Sequence, residues 1–271
     1  MIRFLILAGY FELTMYLQLS GKLNQYINLH YSYLAYISMF LSFVLAFVQL
    51  IIWVKQMKIH SHLSGFWAKV ASIFLLCIPL FVGLFFPTVT LDSQTVSAKG
   101  YHFPVAAGSS KEIQQDEGTT TQYLKPDTSS YFTKSAYESE MKQAAKKYID
   151  KKVIQVTTEN YMEVMEVIYD YPDQFAGKTI ELTGFVYNDP NNKNSQFLFR
   201  FGIIHCIADS GVYGLLTTGA PQHFENNTWI HAKGTLSIEY HKQLKQSLPV
   251  LHISDCQTIT KPANPYVYRV F

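Results

Sequence analysis

The side chains best suited to chemistry in this sequence are two cysteines and several histidines in its polar C-terminal stretch. Cys206 and Cys256 are accompanied there by His102, His205, His223, His231, His241 and His252. His252 and Cys256 stand four apart, and on a regular strand residues at even spacing project to one face. Cys206 with Asp209 on a neighbouring strand would complete a set of sulfur, nitrogen and oxygen ligands, which zinc accepts in tetrahedral geometry. The same two thiols would instead form a disulfide if their Cα atoms lay about 4.4–6.8 Å apart, in a compartment that permits one. A third reading leaves both thiols as small buried apolar groups and the histidines as surface residues. The sequence contains neither a C-x-x-C nor an H-x-x-x-H pair.

Other chemistry finds little support. The nucleophile elbow G-x-S-x-G, the zincin H-E-x-x-H and a phosphate-cradling glycine loop are absent, and each of those activities needs its motif. The expectation is a protein that is not an enzyme. A net charge of +2 without a basic stripe argues against nucleic acid, because a chain that tracks phosphates clusters Lys and Arg on one face. His60-x-His62 offers two imidazoles, but in a loop beside Lys55 and Lys58 they read as polar loop residues.

The elements that must position these residues begin at a composition step. Up to Phe86 the one acidic residue is Glu12, and beyond Leu91 the chain becomes polar. Phe4–Leu19, Leu34–Val54 and Val70–Phe86 are long apolar runs, and a helix needs roughly 20 apolar residues to cross about 30 Å of hydrocarbon. The first run follows Arg3 as a signal peptide would, but Glu12 interrupts it and no A-x-A-like site follows, which favours a retained span. Lys and Arg stay on the cytoplasmic side. Arg3, Lys55, Lys58 and Lys69 against the lone Lys22 therefore place the N-terminus inside and everything after Pro87 outside. A carboxyl within a span costs on the order of 3 kcal/mol and usually faces protein. Glu12 is thus either a partner contact or a protonated residue on a shifted, interfacial helix.

Residues 1–87 read as a transmembrane domain and residues 88–134 as an extended linker without sustained period. Residues 135–271 read as an extracytoplasmic α+β domain. Ser135-Ala-Tyr-Glu138 is a capping box opening a helix whose apolar stripe is Met141, Ala144, Ala145, Tyr148 and Ile149. A second helix starts near Thr158 with Tyr161, Val164, Met165 and Ile168 inside, and Pro172 stops it. From about residue 177 alternation sets in over 178–187, 197–208, 211–217, 228–238 and 248–259. Five strands, the first bent at Gly184, predict a small OB-like β-barrel.

Several segments resemble the YcgQ-like family of bacterial membrane proteins. They are Ser20-Gly21-Lys22-Leu23 with Tyr26-Ile27, Leu91-Asp92-Ser93, and Tyr171-Pro172-Asp173-Gln174-Phe175-Ala176-Gly177-Lys178. The others are Gly184-Phe185-Val186-Tyr187, Phe199-Arg200, Cys206-Ile207-Ala208-Asp209, and Asn264-Pro265-Tyr266-Val267-Tyr268. The resemblance implies a membrane anchor plus an outer domain working beside a multi-span permease, with a link to zinc or another transition metal. It also implies two adjacent cysteines before Ala-Asp. Here the pair is His205-Cys206, a change that keeps a borderline ligand or is neutral.

The expectation is therefore a multi-pass protein of the bacterial cell membrane, an accessory subunit of a permease complex. Its candidate metal ligands are Cys206, Asp209, His252 and Cys256, with His205 beside them, and zinc is the candidate ion. Glu12, Tyr266 and Tyr268 are the candidate partner contacts, although for the two tyrosines a clamp of the chain end onto the barrel is the favoured reading. The alternative is a self-contained membrane-anchored metal chaperone or sensor.

Overall fold

The computed structural model describes residues 1–57, 65–86, 90–100, 134–189, 196–241 and 246–269, and of residues 134–137 the backbone alone. It divides into two units, Met1–Thr90 and Leu91–Phe271. His60, His62 and His102 lie outside the described residues.

The first unit holds three helices long and apolar enough to cross a membrane, as expected: α1 (Ile2–Leu19), α2 (Ser32–Val54) and α3 (Phe66–Phe85). α1 packs on both others. The rings of Phe11 and Phe43 lie 5.4 Å apart, and a Cβ on Gly83 would stand 2.9 Å from Leu13, so the small residue sets how closely α1 approaches α3. Pro79 lies inside α3 and denies the carbonyl one turn back its donor. Close by, the Tyr10 hydroxyl donates to the Leu76 carbonyl at 2.9 Å. The remaining faces of the helices are exposed and, apart from positions such as Glu12, largely apolar.

The second unit begins earlier than the sequence suggests. Ser93–Lys99 forms α4, capped by the Asp92 carboxylate, which accepts the N–H groups of Gln94 and Thr95. Val96 is fully buried in the core of this unit. An extended linker over 88–134 is thus corrected for these residues. Two helical turns with one apolar anchor show no period, and tertiary packing stabilises them. Residues 101–133 lie outside the described residues.

α5 (Lys134–Ile149) and α6 (Tyr161–Asp170) are the two expected helices, and Pro172 opens a short α7 (Pro172–Phe175). The stripe of α5 is buried at Met141, Ala144, Ala145 and Tyr148. α6 is buried almost all round, its Glu166 carboxylate included.

The strands are β1 (Val153–Gln155), β2 (Thr179–Asn188), β3 (Gln196–Ile203), β4 (Gly211–Thr218), β5 (Trp229–His241), β6 (Gln246–Thr258) and β7 (Tyr266–Tyr268). Their order is β1-β2-β5-β6-β4-β3-β7, and β3 pairs with β2 as well. The pairings β2–β5–β6–β4–β3 therefore return to β2. All are antiparallel except β4–β6. β2 pairs with β5 over Thr179–Phe185 and with β3 from Phe185 onward. The bend expected at Gly184 falls at this corner, where a Cβ would lie 2.7 Å from the Phe199 carbonyl oxygen.

β1 and β7 escaped the sequence reading because three residues are too few to show alternation. The run over 197–208 is not one strand. It ends at Ile203, and a 3-10 turn over Ile207–Asp209 leads into β4.

Candidate functional site

The expected metal ligands do not converge. Cys206, Asp209 and His205 share the β3–β4 turn. Asp209 accepts the backbone N–H groups of His205 and Cys206 at 3.0 and 2.9 Å and pairs with His205 Nδ1 at 2.7 Å. Lys99 reaches in from α4, donating to the Ser210 hydroxyl and carbonyl oxygens. His252 and Cys256 lie on β6, and a bulge separates them: Lys233 faces Asp255 while Gly234 faces Ile253. Ser254 is the extra residue, so alternation reverses across it. His252 stays exposed, whereas Cys256 packs against the core.

Even spacing thus gave the wrong face. Burial, with the Asp255 charge beside it, raises the Cys256 thiol, which disfavours the thiolate a metal needs. All three cysteines are free thiols, so no Cys206–Cys256 disulfide forms. Among the described residues no three His, Cys, Asp or Glu side chains are placed to hold a metal ion. The described residues thus offer no set that fits the zinc the resemblance implies.

Strand cross-links take up two of the histidines instead. His252 Nδ1 meets Thr218 Oγ1 at 2.9 Å, while its Nε2 meets Ser237 Oγ at 2.7 Å and Glu239 Oε1 at 2.6 Å. One imidazole thereby joins β4, β5 and β6. His231 does the same between β5 and β2 through Thr183 (2.9 Å) and Glu181 (3.1 Å). Sequence reasoning passed over Glu181, Thr183, Ser237 and Glu239, although each strand's i, i+2 pair of hydroxyl and carboxylate was visible. These pairs are exposed to water, where each contributes about 0–1 kcal/mol.

The quoted family segments do converge. Arg200 on β3 is 3% exposed. Its Nε donates to the Pro265 carbonyl (3.2 Å), Nη2 to the carbonyls of Asn264 and Tyr266 (3.0 Å each), and Nη1 to Thr158 Oγ1 (3.1 Å). The rings of Tyr161 and Trp229 flank the guanidinium at 5.7 and 5.8 Å. Tyr266 in turn accepts the Leu91 N–H on its hydroxyl at 3.0 Å. Tyr268 donates to Asn264 Oδ1 at 3.1 Å.

Leu91-Asp92-Ser93, Phe199-Arg200 and the Asn264–Tyr268 segment therefore form one clamp that ties the start of the unit to its end. Tyr266, 1% exposed, is closed to any partner, which corrects its candidacy as a contact. Tyr268 is half-buried in the same clamp. Glu12 lies on the exposed side of α1.

The Asp209 cap predicts a measurable effect. Asp209→Ala frees two backbone donors, and loss of such a cap costs about 1–2 kcal/mol. Maleimide should label Cys206 faster in that variant while the rate at Cys256 stays as in the wild type.

These features define a two-part membrane protein: three apolar helices, and a sheet-rich unit whose motif residues serve its own closure. The chain belongs to the DUF1980 family, whose N-terminal domain matches residues 2–102 and whose C-terminal domain matches residues 131–269. It is 68% identical, over the whole of both chains, to a Streptococcus mutans protein named "Putative two-component membrane permease complex subunit". It is 40% identical, again over both whole chains, to UPF0703 protein YcgQ of Bacillus subtilis. The YcgQ-like resemblance read from the sequence is correct.

Proposed function

We propose that this protein is the membrane-anchored accessory subunit of a two-component permease complex. The full-length identity of 68% to a relative carrying that name carries the reading. In this reading the N-terminus is cytoplasmic, because Arg3, Lys55, Lys58 and Lys69 fall on one side of the spans and Lys22 alone on the other. The unit from Leu91 onward is then extracytoplasmic and acts at the outer face of a multi-span partner.

We read the second unit as an OB-like barrel. The returning circuit of five strands, its single parallel pairing β4–β6 and the sharp bend at Gly184 support this. The subunit has no catalytic role of its own in this proposal, since its polar side chains cross-link strands. A transition-metal cargo, which the resemblance implies, is carried by the partner and not by a site in this unit. The alternative metal chaperone needs a convergent ligand set, and the described residues supply none.

Affinity purification of the full-length protein from native membranes in mild detergent tests the reading. The expected result is a multi-span membrane protein in stoichiometric amount, with less than one equivalent of metal in the isolated subunit. Recovery of the chain alone, carrying one equivalent of zinc that is lost on replacing Cys206, would replace it with the chaperone.

A further inference from the structure

α1 turns one face inward and one outward. Ile6 is buried, Gly9 packs against Leu80, Tyr10 bonds the Leu76 carbonyl and Leu13 packs on Gly83, so this face is spent on α3. An exposed stripe of α1 carries Leu5 (54% exposed), Glu12, Tyr16 (48%) and Leu19 (81%). These positions recur at helical spacing along one stripe, and Glu12 stands in its middle. Among the described residues no side chain forms a hydrogen bond or ion pair with the Glu12 carboxylate.

An ionisable group on the outside of an apolar span is expensive in lipid and ordinarily meets a partner in the protein interior. The residues of α1 named as packing on α2 and α3 within this unit lie outside this stripe. A second chain is the source of a compensating group that this arrangement leaves open.

We propose that Glu12 and its stripe dock on the second component of the complex, where a Lys, Arg or His within one of that partner's spans pairs with the carboxylate. This rests on the subunit reading above and names the contact that reading requires. Apolar surface alone gives two membrane proteins little preference for each other over lipid. A single buried ion pair supplies both register and choice of partner, which three otherwise apolar spans lack.

Charge exchange tests this in full-length protein extracted from native membranes. Glu12→Lys and Glu12→Ala should reach the membrane at wild-type level yet recover roughly tenfold less partner, the equivalent of about 1.4 kcal/mol. Glu12→Asp should retain it. Substituting Glu, one at a time, for basic residues in the partner's spans should restore recovery with Glu12→Lys at one position only. A photo-crosslinking residue at Leu5 should then join the two components. Undiminished recovery with Glu12→Lys overturns the docking proposal and leaves the subunit reading intact. Crosslinks between two copies of this chain overturn it in favour of self-association. A wild-type chain purified without any multi-span protein sinks the subunit reading itself.

Discussion

Replacing Arg200 with methionine should destabilise the second unit by about 3–5 kcal/mol, the cost of removing one member of a buried charged network. Met matches the apolar volume of the stem, so the loss is polar. Three backbone carbonyls and the Thr158 hydroxyl lose their donor together, and each buried acceptor left unsatisfied costs about 1–3 kcal/mol. Arg200→Lys should fail almost as badly, because a single ammonium cannot serve acceptors arranged around a planar fork. Burial works against the guanidinium, and the Tyr161 hydroxyl, Tyr268 and Glu159 only partly offset this. The site is accordingly built to hold an arginine and no smaller cation.

Hydrogen exchange on the full-length protein should show where the unit opens. Protection should fall first across β7 and across α4, which Tyr266 and Leu91 connect to the same clamp. Protection at the β5–β6 pair should fall least. A methionine variant within about 1 kcal/mol of wild type would show that the carbonyls find other donors and that the clamp closes nothing.

The architecture was legible where the physical signal was long. The α5 stripe, the five alternating runs and the three apolar runs each repeat often enough for periodicity to speak. Ser93–Lys99 was not legible, because its one anchor, Val96, is buried by a unit that lies mostly beyond residue 134. The metal reading failed for a related reason. Alternation from His252 to Cys256 holds only in a regular strand, and nothing in Ile253-Ser254-Asp255 announces a bulge.

Arg200 showed the opposite error. In sequence it was one residue of a family segment, with no hint that Asn264, Pro265 and Tyr266 would turn their carbonyls toward it. Only the β3–β7 register, which sets Phe201 opposite Tyr266, brings them together. Segments that carried the family resemblance thus turn out to hold the unit shut, and the surface we propose to face a partner falls on α1, in plain positions between apolar neighbours.

The second large effect follows from a carboxyl that the fold has taken out of water. Glu166 on α6 is nearly buried, and its Oε1 lies 3.6 Å from Arg269 Nη1, beyond hydrogen-bond length. Burial raises it to about 7. Arg269 pulls it down, while Asp170, Glu140 and Glu163 push it further up. Tyr213, buried against the same carboxylate, is itself raised.

In the unfolded chain a glutamate titrates near about 4.3, so between roughly pH 4 and pH 7 the folded state holds a proton that the unfolded state has released. The contribution of Glu166 to stability must then be fullest below about pH 4 and be lost as pH rises through 7. The loss is about 2–3 kcal/mol once discounted from the full shift. Glu166→Gln keeps the shape of the protonated acid. It should match wild type at pH 4, exceed it by about 2 kcal/mol at pH 8, and flatten the profile between them. Exchange at α6 and at β7 is the readout, since Arg269 follows β7 directly. A glutamine variant that parallels wild type from pH 4 to pH 8, or loses ground to it as pH rises, would mean that the Arg269 ion pair outweighs burial and that Glu166 stays ionised in the fold.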